Sequence, residues 1–128
     1  VSVLTTIAVL REAKAVLERN GWHQGWFYMD LPGVSYSECP VCLRGAVNVA
    51  ASGDPVDSSP VPDEVWAALM AALPEDAFGA IAGWNDEPER TQAEVLALLD
   101  AAVARLESVE NSAPEFEVRH QHAAGGPS

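Results

Sequence analysis

Apolar residues recur at helical spacing over most of the chain. Ile7, Leu10, Ala13 and Leu17 share one face while Arg11, Glu12, Lys14 and Glu18 take others, which predicts a helix from about Thr6 to Asn20. Asn20-Gly21 stops it, because glycine takes a left-handed cap without strain. Leu43, Ala46, Val47 and Ala50 predict a second helix that opens near Pro40 and ends before Gly53. The stretch Ser52 to Pro62 is polar and holds Pro55, Pro60 and Pro62, so no helix runs through it. Val65, Trp66, Leu69, Met70 and Leu73 predict a third helix over Asp63 to Leu73. Pro74 opens a short fourth, with Phe78, Ile81 and Ala82 facing inward. Val95, Leu98, Leu99, Ala102 and Leu106 form the stripe of a fifth, from about Thr91 to Ser108. The expectation is an all-α compact domain of about five helices over residues 1–110. From Asn111 the periodicity fades, and residues 111–128 are expected to form a flexible tail.

One stretch fits no helix. Trp22-His23-Gln24-Gly25-Trp26-Phe27-Tyr28-Met29 is rich in aromatics, and Asp30-Leu31-Pro32-Gly33 after it reads as a turn. With Val34 to Ser37 as a return arm, it predicts either one helical turn or a small β-hairpin near residues 26–37. The simpler role for Trp22, Trp26, Phe27, Tyr28 and Tyr36 is to cover the core between the first two helices. The alternative is an exposed binding patch. No Lys or Arg lies between Asn20 and Leu43, so base stacking with phosphate contacts is not expected there.

Composition narrows the class. A chain of 128 residues makes one domain with a real core, and 48% hydrophobic content suits a globular fold. No apolar run approaches the roughly 18 residues of a membrane helix. Val1 to Thr6 shows no basic region or cleavage pattern, so the expectation is a soluble, cytoplasmic protein without a signal peptide. The net charge of −12 is unevenly placed. Residues 1–50 hold four acids and four bases, whereas residues 51–128 hold fifteen acids against Arg90, Arg105 and Arg119. Such a surface repels nucleic acid and anionic lipid. It attracts a basic protein, or imitates the phosphate array of DNA; the simpler reading is solubility.

The segment Ile81 to Asp100 carries the densest polar detail. Thr91-Gln92-Ala93-Glu94 is a capping box, and Asp86, Glu87 and Glu89 before it suit a helix N-terminus. Trp84 is expected to anchor the core. Asn85-Asp86 is expected to fold on its own backbone as an Asx-turn, with Arg90 paired to Asp86 or Glu87.

These residues also carry a resemblance. The run Trp84-Asn85-Asp86-x-Pro88-x-Arg90-Thr91-x-x-Glu94-Val95-Leu96-x-Leu98-Leu99-Asp100-x-Ala102 resembles the C-terminal signature of an uncharacterised family of short actinobacterial and actinobacteriophage proteins. Gly21-Trp22-x-Gln24-Gly25 and Cys42-Leu43-x-Gly45-Ala46 are similar to two earlier pieces of the same family. The resemblance spans about residues 7–106 and implies an all-helical domain of unknown function with a phage or actinobacterial source. The chain departs from the pattern at Glu89, where glycine is usual, in a shorter middle segment and in the extra Cys39.

Cys39-Pro40-Val41-Cys42 is a Cys-x-x-Cys at an expected helix start, where thiols are often acidified. Buried structural thiols are the simplest reading. A redox role would suit a βαβ setting, which the pattern lacks. A zinc site with Cys39 and Cys42 would need His23, or the distant His120 and His122, to complete it. A nucleophilic role would place Cys42 with Asn85 and Asp86 and take His23 as its base, since a thiol enzyme needs an oriented histidine. The expected function is therefore a non-catalytic, acidic protein-interaction module without a cofactor. Its expected partner is a basic protein, either a virion or assembly component or a host factor. Trp22, Gln24, Trp84, Asn85, Asp86 and Arg90 are its candidate binding residues, and the cysteine enzyme and the zinc protein are the alternatives.

Overall fold

The computed structural model describes the backbone of residues 1–75 and 80–125, with side chains described as far as residue 111. Among the described residues five α-helices form the domain: α1 (Val3–Asn20), α2 (Leu43–Ser52), α3 (Asp63–Ala72), α4 (Ile81–Asn85) and α5 (Gln92–Gly125). A 3-10 turn, Tyr36–Glu38, lies between α1 and α2.

Helix α1 is the hub, packed against α2 and α5, and α3 lies on α5. It begins three residues before the predicted start, because Ser2 caps it by accepting the Thr5 amide at 3.1 Å. Its predicted stripe of Ile7, Leu10, Ala13 and Leu17 is buried, joined by Val16. Leu43, Val47, Val65, Leu69, Val95 and Leu99 complete the centre of the core from the other helices. Gly53 ends α2 in the left-handed conformation at φ 83°, as the sequence anticipates. Asn48, fully buried on α2, donates to the Pro55 carbonyl at 2.7 Å and ties the proline-rich loop to the helix. Across the outer surface of α1, Arg11 pairs with Glu107 and Lys14 with Asp100, exposed ion pairs that contribute little to stability.

Several predicted details change. Met70 does not join the buried side of α3; it is 41% exposed, and Val65 and Leu69 carry that face. The fourth helix begins at Ile81 rather than Pro74, and Phe78 lies outside the described residues. Helix α5 runs on to Gly125, since Ser108 to Asn111 offer no glycine or proline to stop it near 108. The predicted tail side chains from residue 112 lie outside those described.

The aromatic stretch forms no hairpin. The turn after Asp30 is present, with the Val34 amide donating to Leu31, but Tyr28 pairs antiparallel with Val41 instead of with a return arm at 34–37. Trp22 pairs with the other side of Val41 in parallel. The short segment Cys39 to Cys42 thus runs between two extended pieces of the loop. Met29 donates to the Pro40 carbonyl at 2.8 Å, Val41 to Gly21 at 3.1 Å, and Cys42 to Phe27 at 3.2 Å. The buried Val41 side chain makes this central position favourable, because it joins the main core rather than facing a partner strand.

Candidate functional site

Three segments distant in sequence meet at one buried side chain, Asn85. It closes the five-residue α4 and is fully buried. Its Oδ1 accepts from Trp22 Nε1 at 2.7 Å and from the Leu43 backbone amide at 3.1 Å. Its Nδ2 donates to the His23 carbonyl at 3.3 Å and to Asp86 Oδ1 at 2.9 Å. The amide has two acceptor lone pairs and two N–H donors, so all of its capacity is used. A predicted local Asx-turn is therefore replaced by long-range bonds. The reason is burial: a side-chain amide inside the fold must be satisfied, and the nearest free groups are those of the loop and of the α2 N-terminus.

Neighbouring side chains extend the knot. Gln24 Nε2 donates to the carbonyls of Asn85 at 2.9 Å and Glu87 at 2.8 Å, which holds the chain leaving α4. Asp86 Oδ1 also accepts the Gly25 amide at 3.0 Å, and Gly25 sits at φ 99°, a conformation suited to glycine. Gly45 lets α2 close on the loop. A Cβ there would stand 2.2 Å from the Phe27 carbonyl oxygen, so a larger residue would push the two segments apart.

The Arg90 side chain does not pair with Asp86 or Glu87, although its backbone amide donates to the Glu87 carbonyl at 3.0 Å. Asp86 is already engaged by two donors, and Arg90 instead lies over the Trp84 ring, 4.0 Å from its centroid. Its Nε donates to the Trp84 carbonyl at 2.9 Å, and Glu94 lies 3.6 Å from its Nη1. Trp84 is buried as expected, at 7% exposure. The capping box is also formed: Thr91 Oγ1 accepts the Glu94 amide at 3.2 Å, and Glu94 accepts the Thr91 amide at 2.9 Å.

The cysteines occupy two different settings. Cys39 is fully buried and its thiol points to the Val34 carbonyl at 3.8 Å. Cys42 is the N-cap of α2, where its sulfur accepts the Gly45 amide at 3.3 Å. Both are free thiols. Burial pushes the Cys42 thiol up, with a smaller upward push from Asp86; the Gly45 and Arg44 amides and the Arg44 charge pull the other way. Desolvation therefore outweighs the helix terminus that the sequence suggested would acidify it. His23 enters the knot through its backbone, donating to Val41 at 2.9 Å and accepting from Asn85. Among the described residues no three His, Cys, Asp or Glu side chains are grouped to hold a metal, and His120 and His122 lie outside the side chains described.

Trp22, Gln24, Asn85 and Asp86 are thus joined in one network, with Trp84 and Arg90 as a stacked pair beside it. Sequence reasoning missed the Leu43 amide and the Gly45 contact as its third arm, although Cys42-Leu43-x-Gly45-Ala46 was visible as a motif. The aromatic stretch divides. Trp22 and Tyr28 pack against the core, whereas Trp26 and Tyr36 are each 57% exposed and Met29 is 42% exposed. Next to the knot, Trp26, Phe27, Cys42, Arg44, Ala82 and Asp86 bound an open cavity of about 170 Å3, with the Arg44 guanidinium 5.1 Å from the Phe27 ring centroid.

A family model described as a family of unknown function (DUF6197) matches residues 1–105. No curated protein and no solved structure matches the chain.

Proposed function

The chain belongs to the DUF6197 family of unknown function, and from the geometry of its own site we propose a non-catalytic role. The protein is a small acidic interaction module that binds a basic protein through the loop held by the asparagine knot. One observation carries this reading. The knot turns its polar atoms inward, while the loop it pins presents Trp26, Tyr36 and Met29 to solvent. Trp and Tyr are frequent energetic centres of interfaces, and a loop already fixed loses less entropy on binding.

Charge supports a basic partner. Asp54, Asp57, Asp63, Glu75, Glu87 and Glu89 are exposed and make no ion pair among the described residues. In a phage setting the partner would be a virion or assembly component, or a host factor that the carboxylates engage as DNA phosphates would. Affinity capture from source cells tests the proposal, using wild type and Trp26→Ala, the latter checked for unchanged circular dichroism. The expected catch is a basic protein released between about 50 and about 500 mM salt and lost with Trp26→Ala. Salt-independent capture would remove the DNA-like version, and full capture by Trp26→Ala would remove the loop.

A cysteine-dependent enzyme is the second reading, favoured by the place of Cys42 in the wall of the cavity beside Asp86 and Arg44. It requires a thiol that iodoacetamide alkylates rapidly below pH 8 in the folded protein. The interaction reading expects protection until the chain unfolds.

A further inference from the structure

The open cavity beside the knot holds two opposite charges that do not meet. Arg44, in the first turn of α2, and Asp86, just after α4, both line it, and no ion pair joins them. Arg44 is half-buried and lies over the Phe27 ring, and among the described residues its guanidinium has no hydrogen bond or ion pair. That leaves a full charge and five N–H donors to offer. Asp86 receives the Gly25 amide and Asn85 Nδ2, both on Oδ1, so Oδ2 is left open among the described residues. Cys42, in the same wall, is raised chiefly by burial but also feels both charges, Asp86 upward and Arg44 downward. The two charges therefore act on one point of the cavity. The N-terminus of α2 does not supply the anion site, because its Leu43 amide goes to Asn85 and its Gly45 amide to the Cys42 sulfur. The rest of the wall is apolar, with the rings of Trp26 and Phe27 and the Ala82 methyl.

These walls select the ligand. A simple anion would meet Asp86 and a chain of net charge −12; a simple cation would meet Arg44. A zwitterion is neutral overall and satisfies both groups, and a carboxylate matches the guanidinium fork. The volume of about 170 Å3 sets the size. An apolar cavity of about 150 Å3 holds benzene, so the ligand has on the order of ten non-hydrogen atoms. We propose that the cavity binds a free amino acid with an apolar side chain, its carboxylate on Arg44, its ammonium on Asp86 Oδ2 and its side chain against Trp26 and Ala82. This small-molecule site goes beyond the basic-partner reading and does not depend on it. No bond to Cys42 is formed, and the neutral thiol serves only as wall.

Isothermal titration of the dialysed full chain with L-leucine tests it. The comparison ligands are N-acetyl-L-leucine, which lacks the ammonium, L-leucinamide, which lacks the carboxylate, and L-asparagine, which keeps the shape of leucine with a polar side chain. L-leucine is expected to bind with a Kd on the order of 0.1 mM, and each of the other three at least about tenfold more weakly. Arg44→Gln should weaken L-leucine about tenfold and leave L-leucinamide unchanged, because the lost partner is the carboxylate alone. Asp86→Asn should weaken L-leucine but not N-acetyl-L-leucine, with circular dichroism checking that the knot survives. A variant that merely loosened the fold would weaken all the ligands alike. No heat from L-leucine at about 10 mM, or binding no tighter than that of its blocked analogues, would overturn the site. Tighter binding of N-acetyl-L-leucine would overturn it too, leaving Arg44 as a site for anions. The ligand comparisons need only wild-type protein, so they decide the matter even if Asp86→Asn fails to fold.

Discussion

Replacing Asn85 with Ala tests whether the knot holds the loop to the helices. The change removes an acceptor from two donors. The Leu43 amide is buried at the start of α2, where the helix itself offers no partner, and Trp22 Nε1 is partly buried. Each orphaned donor costs about 1–3 kcal/mol, so the variant should lose about 2–6 kcal/mol. Against a total stability of about 5–15 kcal/mol that is a large fraction. It corresponds to a fall in melting temperature of roughly 10 °C or more. Urea denaturation followed by circular dichroism at the helical band reads it directly. Trp22→Phe is the graded control: Asn85 keeps the Leu43 amide, and about 1 kcal/mol is expected. Asn85→Asp gives a second check through pH. The new carboxylate would be desolvated and set against Asp86, which raises its pKa above the unfolded value. Its neutral form then favours folding, so stability is greatest below the unfolded pKa and is lost as pH rises through the folded one. A loss under about 1 kcal/mol for Asn85→Ala, or a pH-independent Asn85→Asp, would refute the knot as a main support.

Gly45→Ala should destabilise by about 1–3 kcal/mol, because its Cβ would meet a backbone carbonyl at 2.2 Å; denaturant midpoints against wild type measure it. Thr91→Ala should cost about 1 kcal/mol through the lost cap of α5, with Glu94→Gln costing less since the amide still accepts, as thermal melts would show. Cys42, raised by burial, should resist iodoacetamide in the folded state and react on unfolding, followed by mass spectrometry. The same raised pKa means that the thiol's contribution is complete below the unfolded value near about 8.5 and declines as pH rises through the folded one. Cys42→Ser, which keeps a capping acceptor, should flatten that alkaline loss.

Helix by helix, the periodic pattern located α1, α2, α3 and the start of α5 to within a few residues, because each buries one stripe and shows the other to water. Local capping was equally legible: Thr91 and Glu94, or Gly53 after α2, act within one turn of their own chain. The candidate site was legible in its residues but not in its bonds. Trp22, Gln24, Asn85 and Asp86 stood out as motif residues, yet spacing could not show that Asn85 would reach over sixty residues back to Trp22 instead of bonding its own backbone. Arg90 chose the Trp84 face for a similar reason, since Asp86 was taken by Gly25 and Asn85.

By itself the sequence determined an all-α chain, its acidic second part and its helix caps, all set by interactions within one turn or by summed charge. Only the tertiary structure decided which aromatics are buried and which exposed, where the bonds of Asn85 go, and that Val41 rather than a hairpin arm pairs with Tyr28. Those outcomes depend on desolvation. A buried polar group takes whatever partner the packing brings within hydrogen-bond reach, and packing is a property of the whole fold.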